Sequence, residues 1–243
     1  MENTILNISN LSKTYSKGKK GETQALRDVS FALREKEITG LIGPNGAGKT
    51  TLIRILMGFE NADTGNVEFL GKSTLDLSVR NDIGYQSDLQ FRSKSFTLKS
   101  FLKFHAEITK LENADERINS LLTAFSLSDA SEKKLSALSK GMRQKAELAV
   151  AFLNKPRLVV LDEPTAALDP PSVFELRDFI NKYRDNGSTV LFSSHHLTEV
   201  EKICDRVIFI DGGRIISDII ISEAEPGFLE ESFRKYESER RFL

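Results

Sequence analysis

The chain has 243 residues, 40% of them hydrophobic, which gives about 97 apolar side chains, enough to fill the core of one large domain and to exclude disorder as the main state. Its 34 Lys and Arg against 35 Asp and Glu leave a formal net charge of −1, without the basic excess that binding a phosphate backbone needs, so no nucleic-acid partner is expected. The single cysteine, Cys204, excludes an internal disulfide and a thiolate cluster; set in an apolar run, it reads as a core residue of a protein from a reducing compartment.

No stretch approaches the roughly 18 uninterrupted apolar residues of a membrane span, and the N-terminus lacks a charged-then-apolar export signal. The chain is expected to be soluble and to stay where it is made. In chain order, short strands are expected at Ile5 to Ile8, Val29 to Leu33 and Ile38 to Ile42, with a Lys/Gly-rich loop from Lys17 between the first two. A helix follows from Thr50 to Met57, then strands at Val67 to Leu70 and Asp82 to Tyr85.

From about Ser95 to Asn154 the period becomes helical. Helices are expected at Leu98 to Ile108, with Phe101, Leu102, Phe104 and His105 on one face, at Ala114 to Phe125, and at Met142 to Leu153. Strands return at Leu158 to Leu161, Thr189 to Phe192 and Arg206 to Ile210, the last turning at Asp211 and two glycines into Arg214. Continuous apolar runs separated by helices indicate an α/β fold around a largely parallel sheet buried on both faces. The expected organisation is one domain over 1–243 with an N-terminal antiparallel β subdomain, a helical subdomain inserted at 88–154, and a helical tail at 223–243.

The segment Gly43, Pro44, Asn45, Gly46, Ala47, Gly48, Lys49, Thr50 matches G-x-x-x-x-G-K-S/T and lies between a strand and a helix. Glycines let consecutive N–H groups turn into one concavity, Lys49 reaches the β- and γ-phosphates of a nucleotide, and Thr50 can ligate Mg²⁺. A second element, Leu158 to Glu163 (LVVLDE), is a buried strand ending in two carboxylates: Asp162 can hold the Mg²⁺ shell, and Glu163 can polarise water toward the γ-phosphate. Together they read as the core of a P-loop nucleoside triphosphatase using Mg²⁺.

Three further motifs choose the subclass. Leu138 to Gln144 (LSKGMRQ) before a long helix, Ala167-Leu168-Asp169 after the carboxylate pair, and Ser194-His195 after the next strand together resemble the ATP-binding domain of ABC transporters over nearly the whole chain. The resemblance implies that Ser139 and Gly141 bind the γ-phosphate of ATP held by the opposite subunit of a head-to-tail dimer, homo- or heteromeric. It also implies that Asp169 contacts the partner, that His195 rather than the adjacent His196 is the switch histidine at the γ-phosphate, and that Tyr15 stacks on adenine. Thr51 joins the phosphate-binding set.

The family's usual Gln after the strand ending at Tyr85, which bridges Mg²⁺ to the membrane partner, falls on Asp88 here, with Gln86 and Gln90 to either side. Asp88 is therefore the third candidate metal ligand beside Thr50 and Asp162. Lys140 and Met142 replace the commoner Gly and Gln of the signature. The short spacing from Tyr85 to Ser139 and the ending around Phe228 resemble export systems. The implied function is an ATP-hydrolysing subunit working on the cytoplasmic face of the membrane with a separate permease. A soluble ATPase of the same family acting on ribosomes, DNA or cofactor assembly is the alternative.

Overall fold

The computed structural model describes residues 4–16, 21–86, 96–221, 227–231 and 233–234. Two sheets organise them. The first is antiparallel, built from β1 (Thr4–Ser16), β2 (Glu22–Arg34), β4 (Thr64–Phe69) and β5 (Lys72–Ser73) in the order β2-β1-β4-β5. Both long strands alternate buried and exposed positions but carry register shifts along their pairing, which is why only short apolar stretches stand out in the sequence.

The second sheet contains β3 (Ile38–Ile42), β6 (Ile83–Gln86), β7 (Leu158–Asp162), β8 (Thr189–Ser194), β9 (Arg206–Asp211) and β10 (Arg214–Ile220). Its order is β10-β9-β3-β8-β7-β6, with every pair parallel except the β9–β10 hairpin. The parallel strands β3 and β8 are buried along their whole length, as expected where both faces are covered. One face packs on α1 (Lys49–Leu56) and the antiparallel sheet through Leu41, Leu52, Ile53, Val160 and Leu191. The other packs on α4 (Lys140–Ala151), α5 (Pro170–Asp185) and α6 (Leu197–Ile203).

Helices α2 (Leu98–Ile108) and α3 (Ala114–Ala124) lie between β6 and β7 in the chain, ahead of α4. Of the residues expected on one face of α2, Leu102 is buried together with Leu98 and Ala106, whereas Phe104 is 44% exposed. The i, i+4, i+8 stripe meets Ile118, Leu121 and Leu122 of α3, and Phe104 instead joins an aromatic group with Phe96 and His105 on the rim. The N-terminal end of α4 begins at Lys140, two residues before the expected start, because Ser139 caps it by accepting the Met142 N–H at 3.2 Å.

The C-terminal end of α4 rests on β6 without a side chain between them, since a Cβ on Gly84 would lie 2.0 Å from the Ala151 carbonyl oxygen. Arg117 of α3 donates to the Phe152 and Leu153 carbonyls just beyond it, at 2.6 and 3.2 Å. In the tail, residues 228–231 are helical, Leu229 is buried, and the Phe233 ring packs edge-on against Phe209. Cys204 is buried, where burial pushes its thiol well up.

Candidate functional site

Parallel pairing brings the C-terminal ends of β3, β8 and β7 side by side, so that the segments following them share one edge of the sheet. After β3, the chain turns tightly under the end of β9. A Cβ on Gly43 would stand 2.0 Å from the Ile210 carbonyl oxygen, so no other residue fits there. Gly48 sits at φ 112 as the N-cap of α1, a left-handed conformation that lets the loop enter the helix with its first N–H groups directed outward.

Lys49 is buried, and its ammonium donates to the Gly43 carbonyl at 2.6 Å and the Pro44 carbonyl at 3.3 Å. Burial lowers its pKa, while the charges of Glu163 and Asp162 pull it back up. One cation thus stands among loop carbonyls and two carboxylates. Asn45, Gly46 and Thr50 are exposed at the mouth of the loop, and Ala47 is buried beneath it.

At the tip of β7, the Asp162 carboxylate accepts the Ser193 hydroxyl at 2.6 Å. That hydroxyl, from β8, is also 3.1 Å from the Glu163 N–H. Both carboxylate oxygens of Glu163 lie 2.9 Å from His195 Nδ1. An ionised carboxylate only accepts, so this contact places the proton on Nδ1. His196 is the N-cap of α6, with its ring centroid 4.0 Å from that of His195.

Tyr15, near the end of β1, donates its hydroxyl to Glu60 at 2.6 Å, and Glu60 in turn pairs with Arg54 of α1 at 3.4 Å. Burial, followed by this hydrogen bond, raises the Tyr15 pKa. Ser139 and Gly141 lie at the start of α4. A Cβ on Gly141 would sit 3.1 Å from the Ala167 carbonyl oxygen, which packs this turn against the segment leaving β7. Asp169 caps α5 by accepting the Ser172 N–H, and hydrogen bonding from Ser172, its side chain first and then its backbone, holds the carboxyl below the usual carboxylate range.

Asp88 and Gln90 lie outside the described residues. Gln86, the last residue of β6, is buried, and neither of its amide atoms has a hydrogen-bond partner among the described residues. Three contributors to this arrangement go unread in the sequence: Ser193, Glu60 and Gln144, whose amide donates to the Pro164 carbonyl at 3.1 Å. Each acts across a long chain separation; Gln144 closes the LSKGMRQ motif, but its partner lies 20 residues beyond it.

The donor set fits a magnesium–triphosphate complex. A glycine-built loop ending in a buried ammonium suits phosphate oxygens, and the Thr50 hydroxyl and Asp162 carboxylate are the hard oxygen donors Mg²⁺ takes. Among the described residues no group of three or more His, Cys, Asp or Glu could hold a metal ion.

Comparison with known proteins agrees with this geometry. The family model described as ABC transporter matches residues 26–166, a span that contains the glycine loop, the start of α4 and both carboxylates. The chain is an ABC transporter ATP-binding domain.

The domain is 36% identical over 234 residues to the uncharacterized ABC transporter ATP-binding protein YdbJ of Bacillus subtilis, covering 90% of this chain and 70% of that one. It is 34% identical over 212 residues to the lantibiotic transport ATP-binding protein SrtF of Streptococcus pyogenes, covering 87% and 89% of the two chains. Among solved structures, an ATP-binding subunit of an ABC transporter superposes with a TM-score of 0.86 at 28% identity, covering 96% of this domain and 99% of that chain. The cbiO1 protein of Clostridium perfringens, part of the ABC transporter complex cbiONQ, gives 0.75 at 26% identity over 99% and 94%. Among the described residues of the domain, no helix is long and apolar enough to cross a membrane.

Proposed function

We propose that this domain hydrolyses ATP as one of two head-to-tail ATP-binding subunits and drives a separate permease from the cytoplasmic face of the membrane, in the direction of export. The observation that carries the reading is the meeting, at one sheet edge, of a buried ammonium in a glycine loop with a carboxylate held by a histidine. The transport assignment of SrtF and the membership of cbiO1 in a transporter complex support the permease. The export direction rests on the spacing from Tyr85 to Ser139 and on the segment that begins at Phe228.

In this reading Lys49 and the backbone N–H groups of the loop between Pro44 and Thr51 bind and orient the triphosphate, and Tyr15, steadied by Glu60, carries the adenine. Thr50, Asp162 and Asp88 would hold Mg²⁺, which when bound neutralises charge on the β- and γ-phosphate oxygens. Ser193 fixes the Asp162 carboxylate, and His195 fixes that of Glu163. Glu163 takes the proton from the attacking water as the water oxygen bonds to the γ-phosphorus, while the bond from that phosphorus to the β,γ-bridging oxygen breaks and ADP leaves with its electron pair. Ser139 and Gly141 complete the site of the opposite subunit, with Asp169 at the interface.

The test is a mixing experiment on the purified chain with MgATP. Ser139→Ala and Lys49→Ala subunits, each impaired alone, should together restore one intact composite site of two and a measurable fraction of the phosphate release. A proven mixed dimer with no recovery would refute the head-to-tail arrangement, and a wild-type chain that releases no phosphate would refute the ATPase.

A further inference from the structure

Glu163 is held in a conformation that its neighbours in the sequence oppose. A proline at 164 pushes the preceding residue toward extended backbone, yet Glu163 adopts φ 50, in the left-handed region that non-glycine residues avoid. A conformation of this kind persists only where the surroundings over-determine it.

The surroundings grip it from two sides. On the amino side, the Glu163 N–H donates to the Ser193 carbonyl at 3.2 Å, with the Ser193 hydroxyl at 3.1 Å. On the carboxyl side, the Ala166 N–H closes a turn onto the Glu163 carbonyl at 3.3 Å, and the Gln144 side chain spans the next peptide unit. Gln144 Nε2 donates to the Pro164 carbonyl at 3.1 Å and lies 3.5 Å from the Glu163 carbonyl. Both neighbours are carbonyl oxygens, which only accept, so the amide must present its NH₂ to them. Gln144 belongs to α4, whose Gly141 also meets the same segment at Ala167.

We propose that Gln144 is a positioning residue for Glu163: its amide fixes the peptide that follows the carboxylate, so that the carboxylate is aimed at the attacking water only while α4 is seated against residues 163–167. The inference rests on the reading of Glu163 as the base. In that reading, Ser139 and Gly141 on the same helix meet the nucleotide of the opposite subunit. One amide therefore ties the seating of one site to the geometry of the other.

Steady-state kinetics of the full chain test this. Gln144→Met keeps the length and the unbranched stem but cannot donate. It should lower kcat about tenfold, the equivalent of one hydrogen bond, with KM for MgATP and the affinity for a fluorescent ATP analogue unchanged. Gln144→Lys, which restores a donor on an unbranched stem, should recover most of the loss. If thermal melting shows that the Met variant is unfolded, Gln144→Glu, which accepts but does not donate, is read against Gln144→Lys in its place. A non-donating variant with wild-type kcat, a defect confined to KM, or a Lys variant as slow as the non-donating one overturns the assignment. A wild-type chain that neither binds nor hydrolyses MgATP refutes the underlying function, whereas an active chain indifferent to Gln144→Met refutes only the positioning role.

Discussion

Glu163→Gln separates binding from chemistry at this site. The amide has the size of the carboxylate, and its oxygen can still accept from His195 Nδ1, now 2.9 Å away, so the substitution leaves the local geometry in place. What disappears is the ability to take a proton. General-base catalysis contributes about 10²- to 10⁴-fold, so kcat should fall by that factor, a barrier increase of about 2.7 to 5.4 kcal/mol. Binding should move the other way. The Glu163 charge helps hold Lys49 protonated, but Asp162 does so as well, and Lys49 starts from a high ordinary pKa, so the ammonium survives the loss. Removing a negative charge beside the triphosphate reduces repulsion, and nucleotide affinity should stay level or tighten. Phosphate release and titration with a fluorescent ATP analogue read the two effects independently. A Gln variant that turns over within fivefold of wild type refutes Glu163 as the base, and one that fails to bind nucleotide refutes the separation of roles.

Lys49→Ala should instead weaken nucleotide binding about tenfold or more, because a charge-assisted contact to phosphate is lost while the carboxylates remain; equal affinity in the same titration would contradict this. Ser139→Asp should keep the α4 cap, and with it the melting temperature, yet lose ATPase activity because a carboxylate would face the opposing γ-phosphate; a drop in melting temperature with activity retained would assign Ser139 to capping alone. The Tyr183 hydroxyl, pushed up to about 12 by burial from an ordinary 10.0, stays protonated in the fold after it would ionise in the unfolded chain. Its contribution is therefore complete below about pH 10 and is lost as pH rises toward 12, a change of about 2 to 3 kcal/mol. Tyr183→Phe should flatten the decline of melting temperature over that range relative to wild type, and identical alkaline slopes would refute the assignment.

The glycine loop, the strand ending in Asp162 and the bounds of α2 were legible because each is written locally, in a motif or in a periodic run. The buried face of α2 was not. Large aromatic residues look like core, but Phe104 is left on the rim because the surface that α3 offers fits the narrower Leu98, Leu102, Ala106 stripe. Similarly, the sequence around Ile83 suggested a strand from Asp82 to Tyr85, whereas Asp82 closes the preceding 3-10 turn and Gln86 continues β6. Ser193 could be recognised only by knowing that β7 and β8 run parallel with Asp162 opposite it, a pairing across 31 residues. The choice between His195 and His196 is equally invisible in a pair of adjacent identical residues; the folded chain sets His195 Nδ1 against the Glu163 carboxylate and His196 at the start of α6.

The two glycine contacts of α4 bear on which parts of this domain can diverge. At one end Gly84 admits the Ala151 carbonyl directly onto β6, and at the other Gly141 faces the Ala167 carbonyl, so backbone meets backbone with no side chain available to absorb a change. Helix α2 has no such glycine contact among the described residues; its first turn is tied by backbone hydrogen bonds from Leu98 and Lys99 to the Lys133 and Ser131 carbonyls, at 3.0 and 2.8 Å. It meets α3 through interchangeable aliphatic side chains and presents Phe104 and Ile108 outward, the latter 62% exposed. Mutational drift, or a designer's library, therefore has a free surface on α2 to remodel for a new neighbour, while α4 behaves as a fixed chassis whose length and ends tolerate almost no revision.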